Sequence, residues 1–220
     1  MPALAALAVV TLVHLVAQGV APGGVVADLT QVLLMPLVAW LLWTTTPDPK
    51  SRLVRLALLA LGFSWLGDTL PRFVDDGSQL GFGLMLGAFL VAQLVYVVAL
   101  LPWRERSILR TRPVLVAPYV LALVLLIAVT AGGAGAMLPA VIVYGLVIVA
   151  MAVLATGLDR VAAVGAIIFL VSDGLIALRA FAGVELPLHG VLVMLTYVLA
   201  QVLLVAAIAH HDRAARLRQA

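Results

Sequence analysis

No cysteine occurs in the 220 residues, so the chain can form no disulfide, thiolate nucleophile or Cys-ligated metal site. Charge is nearly as scarce. Asp, Glu, Lys and Arg make up 10% of the residues, where a soluble domain carries about 25%. That shortage excludes a soluble enzyme. The short alternating segments of a transmembrane β-barrel are missing too. The first apolar run lacks a basic n-region and a small-residue cleavage site, so it is read as a membrane helix and not as a signal peptide. There is no Gly-x-Ser-x-Gly elbow to support a serine hydrolase. His14, His189, His210 and His211 are assigned to opposite sides of a membrane, so no three-histidine metal site is expected.

What the chain has is long apolar runs. Hydrophobic residues make up 65% and mean hydropathy is +1.23. About 20 apolar residues cross the hydrocarbon core of a bilayer. That rule predicts eight helices, near 3–20, 25–45, 53–71, 80–101, 113–131, 137–156, 160–180 and 188–209. The expected fold is all-α: a polytopic transmembrane helical bundle forming one integral membrane domain over 1–220. Pro47, Pro49, Pro102 and Pro113 punctuate the connections, and AGGAGA at 131–136 reads as a tight turn. Pro36 falls inside the second helix, which it should kink unless a neighbour satisfies the carbonyl it frees.

Net charge is +3, but the basic residues gather at segment ends, which marks topology and not a nucleic-acid surface. Lys50, Arg52, Arg55, Arg104, Arg106, Arg110, Arg112, Arg160, Arg213, Arg216 and Arg218 fall on one side, and Arg72 and Arg179 on the other. The positive-inside rule then puts both termini in the cytoplasm, with a bacterial plasma membrane as the expected location.

Against this apolar background the embedded polar residues stand out. In GAIIFLVSDGLIAL, 165–178, Ser172 and Asp173 interrupt a membrane-spanning run. A carboxylate near the bilayer centre costs a few kcal/mol or more, so it faces the bundle interior and marks a functional site by default. Phe169, Ser172, Asp173 and Ile176 share a face at i, i+3, i+4 and i+7. Asp68 follows Gly67 near the outer end of the third helix, where an ion pair with Arg72 at i+4 is the plainer alternative. Asp28 begins a helix, where acids suit the dipole, and is read as structural. Gln31, Tyr144, Gln93, Tyr96, Tyr197 and Gln201 fall in the outer half or near mid-depth. Lipid offers such groups no partners, so they are expected to converge with both aspartates on one cavity open toward the outer leaflet. GDTL at 67–70 and SDGL at 172–175 each precede a helix bearing Gln and Tyr, which would fit a weak parallel four-plus-four repeat.

Several separated blocks together resemble the YhhN family of integral membrane proteins. They are LLMPL at 33–37, GDTL at 67–70, Phe82-Gly83 with Phe89 and Tyr96, VIVYGLVIVAMA at 141–152, GAIIFLVSDGLIA at 165–177, and Tyr197 with Ala200-Gln201. Two positions depart from the family pattern: Gln31-Val32 where Lys-Pro is common, and Gln93 where histidine is common. Characterised members are lysoplasmalogenases. The resemblance therefore implies hydrolysis of the vinyl ether of a lysophospholipid, giving a fatty aldehyde and a glycerophospho-amine, with no cofactor and no metal. It implies a lipid substrate and the bilayer as partners. A vinyl ether needs an acid to protonate the carbon β to oxygen, and water to capture the resulting oxocarbenium ion. Asp173 and Asp68 would serve as acid and as base or cation stabiliser. Gln31, Gln93, Tyr96, Tyr144, Ser172, Tyr197 and Gln201 would bind or orient the substrate. Two readings from other classes stay open: a small multi-pass transporter or proton-coupled channel using the same aspartates, and a non-catalytic lipid-binding protein that would tolerate losing either.

Overall fold

The structure is a computed structural model that describes residues 2–74 and 78–218. Helices account for its regular structure, and there is no strand among the described residues. The long ones are α1 (Pro2–Val20), α2 (Val25–Thr45), α3 (Arg52–Thr69), α4 (Gln79–Leu100), α6 (Ala117–Ala134), α7 (Leu138–Ala155), α8 (Arg160–Ala182) and α9 (His189–Leu217). The short α5 spans Ile108–Thr111. Seven described stretches are long and apolar enough to cross a bilayer, and one of them, Pro113–Ala155, contains both α6 and α7. The protein is a multi-pass helical membrane bundle. It divides into two compact units, Met1–Ala99 with Val205–Ala220, and Leu100–Leu204.

In the first unit α1 packs on α2 and α2 on α3. Pro36 lies within an unbroken α2. Its missing N–H frees the carbonyl four residues back, that of Val32. The indole N–H of Trp65 on α3 donates to this carbonyl at 3.0 Å, so the exposed acceptor that would favour a kink is satisfied by the neighbouring helix. Lys50 closes the far end of α2, donating from Nζ to the carbonyls of Trp43 (2.7 Å) and Thr46 (2.6 Å). Arg216 near the end of α9 donates to the carbonyls of Pro47 and Pro49 in the same loop. This docking accounts for α9 running to Leu217, past the apolar run that sets a boundary near 209. At 29 residues α9 is about 43 Å long, more than the ~30 Å hydrocarbon core requires.

In the second unit a 3₁₀ segment (Leu101–Arg106), α5 and a further 3₁₀ turn (Pro113–Val116) precede α6. The helix expected from 113 thus begins at Ala117. α5 is far too short for a span-length rule to detect. It docks on the end of α7: Ile108 N donates to Thr156 Oγ1 at 3.0 Å, and a Cβ on Gly157 would lie 2.3 Å from the Trp103 carbonyl oxygen. This junction, beside Arg104, Arg106, Arg110 and Arg112, forms the arginine-rich end of the unit.

At the opposite end the chain turns within AGGAGA, but only near its last residues. α6 continues through Gly132 and Gly133 to Ala134, and the chain reverses at Gly135, where φ is +48°. The reason lies across the gap. A Cβ on Gly133 would sit 1.9 Å from the backbone oxygen of Phe181, so the glycine lets α6 touch the α8 backbone. Asp159 caps α8 by accepting from Ala162 N at 2.8 Å, and Gly183 ends it in the left-handed region at φ +64°.

The two ends of this unit should face opposite sides of the membrane. Arg106→Cys and Val184→Cys, at exposed positions in a background without native cysteine, are expected to react with an impermeant maleimide from opposite sides. Labelling of both from the same side would contradict this topology.

Candidate functional site

Asp173 lies on α8 facing α7, where its Oδ2 accepts a short hydrogen bond from the Tyr144 hydroxyl. Both residues line a cavity of about 500 Å³ between α6, α7 and α8. Two close approaches build its walls. Gly133 holds α6 to α8 at one end, and Gly145 faces Leu123 so closely that a Cβ would lie 2.4 Å from the Leu123 side chain. Below these, Leu123, Val149 and Val153 form a small apolar core.

The face expected to carry Phe169, Ser172 and Asp173 together divides between two neighbours. Phe169 and Ser172 are fully buried toward α9. Ser172 Oγ donates to the Val193 carbonyl at 3.0 Å, and Phe169 meets Tyr197 edge-to-face at 5.7 Å and 88°. Gly165 lets the α9 backbone approach, with Ala200 O only 3.1 Å from where its Cβ would be. Ser172 and Tyr197 therefore anchor α8 to α9, while Asp173 alone of this group lines the cavity with Tyr144. Gln201 is fully buried on α9 outside the cavity lining. His189 fastens the α8–α9 turn: its Nδ1 accepts from Leu186 N at 3.2 Å, and its Nε2 lies 3.1 Å from the Leu175 carbonyl.

The first unit holds a second polar group. Asp68 is 6% exposed, and its Oδ1 accepts from Gln31 Nε2 at 3.2 Å. Arg72 donates from Nη2 to Gln31 Oε1 at 2.8 Å, from Nε to the Asp68 carbonyl at 3.1 Å, and from Nη1 to the Asp28 carboxylate. The guanidinium thus braces α3 against α2. It forms an ion pair with Asp28, across 44 residues. Its position in the sequence marks Asp28 only as a helix-start residue. Its place three residues before Gln31, on the same face of α2, was the available signal of a shared partner. Gly67 makes room beside Asp68 for the Phe89 ring, 2.7 Å from where a Cβ would lie. On α4, Tyr96 and Gln93 are fully buried, and neither amide atom of Gln93 has a hydrogen-bond partner among the described residues.

His14 bridges α1 and α2. Its Nδ1 lies 2.9 Å from Thr30 Oγ1 and 3.1 Å from the Ala27 carbonyl. Thr30 directs its own hydroxyl to the Val26 carbonyl at 2.6 Å, so this network assigns the proton to Nδ1.

Most of the lining of the cavity beside Asp173 lies between the Asp173–Tyr144 pair and the arginine-rich end.

These features define a multi-pass membrane protein with a carboxyl–phenol pair on the wall of an intramembrane apolar cavity. The family model for YhhN matches residues 26–208, and the chain belongs to the YhhN family. That match takes in both polar groups, the cavity and most of α9. Comparison with curated proteins and with solved structures finds no match.

Proposed function

We propose that the protein is a membrane-embedded hydrolase that cleaves the vinyl ether of a lysoplasmalogen-type lipid, with Asp173 as general acid. The observation that carries this reading is the Asp173–Tyr144 pair on the wall of an otherwise apolar cavity. A long-chain vinyl ether is apolar up to the carbon that must be protonated, and so needs one acid at the edge of an apolar space.

In its acid form Asp173 gives its proton to the vinyl carbon β to oxygen, which leaves an oxocarbenium ion and a carboxylate. Tyr144 donates to that carboxylate and steadies the charge as it forms. Water adds to the cation, loses a proton, and yields a hemiacetal that collapses to aldehyde and alcohol. One water is consumed, and the acid is restored. Asp68 is the second candidate carboxylate, oriented by Gln31 through the 3.2 Å hydrogen bond. Ser172 and Tyr197 serve by holding α9 behind the acid.

Purified protein in nanodiscs should release aldehyde from a 1-alkenyl lysophospholipid and none from its saturated 1-alkyl analogue, since only the former can accept a proton at carbon. Failure to release aldehyde from the alkenyl lipid would end this reading. Movement of protons or solute across a vesicle membrane, abolished by Asp173→Asn, would establish the transporter in its place.

A further inference from the structure

The cavity beside Asp173 is open on one side only partly closed by helix packing. At the Gly133–Phe181 end the backbones of α6 and α8 touch. Toward the arginine-rich end the lining residues Pro118 and Ala122 on α6 and Ile167 and Val171 on α8 are all exposed and form its rim. In a membrane this rim faces lipid tails. Apart from Asp173 and Tyr144, Tyr119 is the only lining residue with a polar side-chain atom, and it sits at the far end. From Ile127 to Pro118 the α6 wall extends nine residues, or about 14 Å.

We propose that this cavity is the binding site for a single unbranched alkyl chain that enters sideways from the bilayer between α6 and α8. The chain lies along α6, with its methyl end toward Tyr119 and its oxygen-bearing end at Asp173. Three observations fix the occupant. Apart from Tyr119 and the Asp173–Tyr144 pair the walls are apolar, which suits a hydrocarbon and offers little to a polar solute. The exposed rim lies on stretches apolar enough to cross a bilayer, so it opens toward lipid. The one strong polar pair sits nearer the Gly133–Phe181 end, so a chain with a single polar terminus has only one favourable direction. A lipid seated this way has its head group toward the Gly133–Phe181 end, and is therefore drawn from the leaflet on that side. The inference deepens the hydrolase reading. It rests on that reading for which atoms meet Asp173, but not for chain binding itself.

The test uses the full-length protein in nanodiscs with a saturated, uncleavable 1-alkyl lysophospholipid. The probe carries a photoactivatable diazirine either near the methyl end or near the ether oxygen. The methyl-end probe is expected to label peptides around Pro118–Ala122 and Ile167, and the ether-end probe those around Val141, Tyr144 and Ala177. Ala122→Trp and Val171→Trp, on opposite sides of the rim, should each cut labelling about tenfold, the cost of expelling roughly two methylenes from an apolar site. Val124→Trp, exposed on α6 outside the cavity lining, should leave labelling unchanged. Measuring both rim variants guards against one failing to fold. The proposal is overturned by labelling spread evenly over lipid-facing helices, by labelling that neither rim variant reduces, or by the two probes exchanging positions. Because the probe cannot be hydrolysed, specific labelling without aldehyde release from the alkenyl lipid would sink the hydrolase and leave the chain site standing.

Discussion

Asp173→Asn is expected to lower aldehyde release by about 10²–10⁴, the usual loss when a positioned general acid is removed. Asparagine keeps the side-chain shape, and its carbonyl oxygen can still accept the Tyr144 hydroxyl. What it lacks is the proton to give to carbon. The variant should therefore melt with wild-type protein and still take up the uncleavable ether lipid. Tyr144→Phe should fall between the two. It leaves the acid but removes a hydrogen bond to the charged conjugate base, worth about 1.5–3 kcal/mol, or roughly ten- to a hundredfold in rate. Asp68→Asn should also reduce turnover, with Gln31 still within hydrogen-bonding reach of an amide at that position. Full activity in a folded Asp173→Asn protein would remove this residue from the chemistry.

Two neighbouring glycines should respond to the same substitution with opposite signs. At Gly133 a methyl group would lie 1.9 Å from the Phe181 carbonyl oxygen, and both atoms belong to helix backbones that cannot give way separately. Gly133→Ala must push α6 off α8, an overpacking that costs about 1–3 kcal/mol. For a chain of this size that lowers the unfolding midpoint by about 2–4 °C for each kcal/mol. At Gly132 nothing lies within 4 Å of the added methyl, so Gly132→Ala gains helix propensity of up to about 1 kcal/mol and should raise the midpoint. Thermal unfolding of the two variants in one detergent checks the pair. A midpoint for Gly133→Ala at or above wild type would mean that the α6–α8 contact at the closed end of the cavity is not as described.

The helices were legible because crossing a bilayer demands long apolar runs, and Asp173 was legible because an acid in such a run costs too much to be idle. What periodicity does not carry is which neighbour each helix face meets. Asp173, Ser172 and Phe169 lie within one broad arc, yet the acid meets Tyr144 on α7 while the other two meet α9. Pro36 announced that the Val32 carbonyl would need a donor, but nothing local identified Trp65, 33 residues on, as that donor. Glycine shows the same limit. AGGAGA reads as a turn from its own composition, whereas Gly133 is there for the Phe181 backbone 48 residues away, and only Gly135 needs the positive φ. Asp28 alone looks like a helix-start acid, and its ion pair with Arg72 depends on α2 and α3 lying side by side.

Hydrolysis in D₂O, with the aldehyde reduced by borohydride as it forms, tests carbon protonation most directly. The proton that Asp173 delivers exchanges with solvent in each cycle, so the account predicts one deuterium on the carbon next to the trapped carbonyl carbon. A parallel sample of preformed aldehyde measures exchange after release. The signal should disappear along with the product in Asp173→Asn. Aldehyde formed by wild-type protein with no deuterium on that carbon would contradict acid catalysis at carbon and the role given to Asp173.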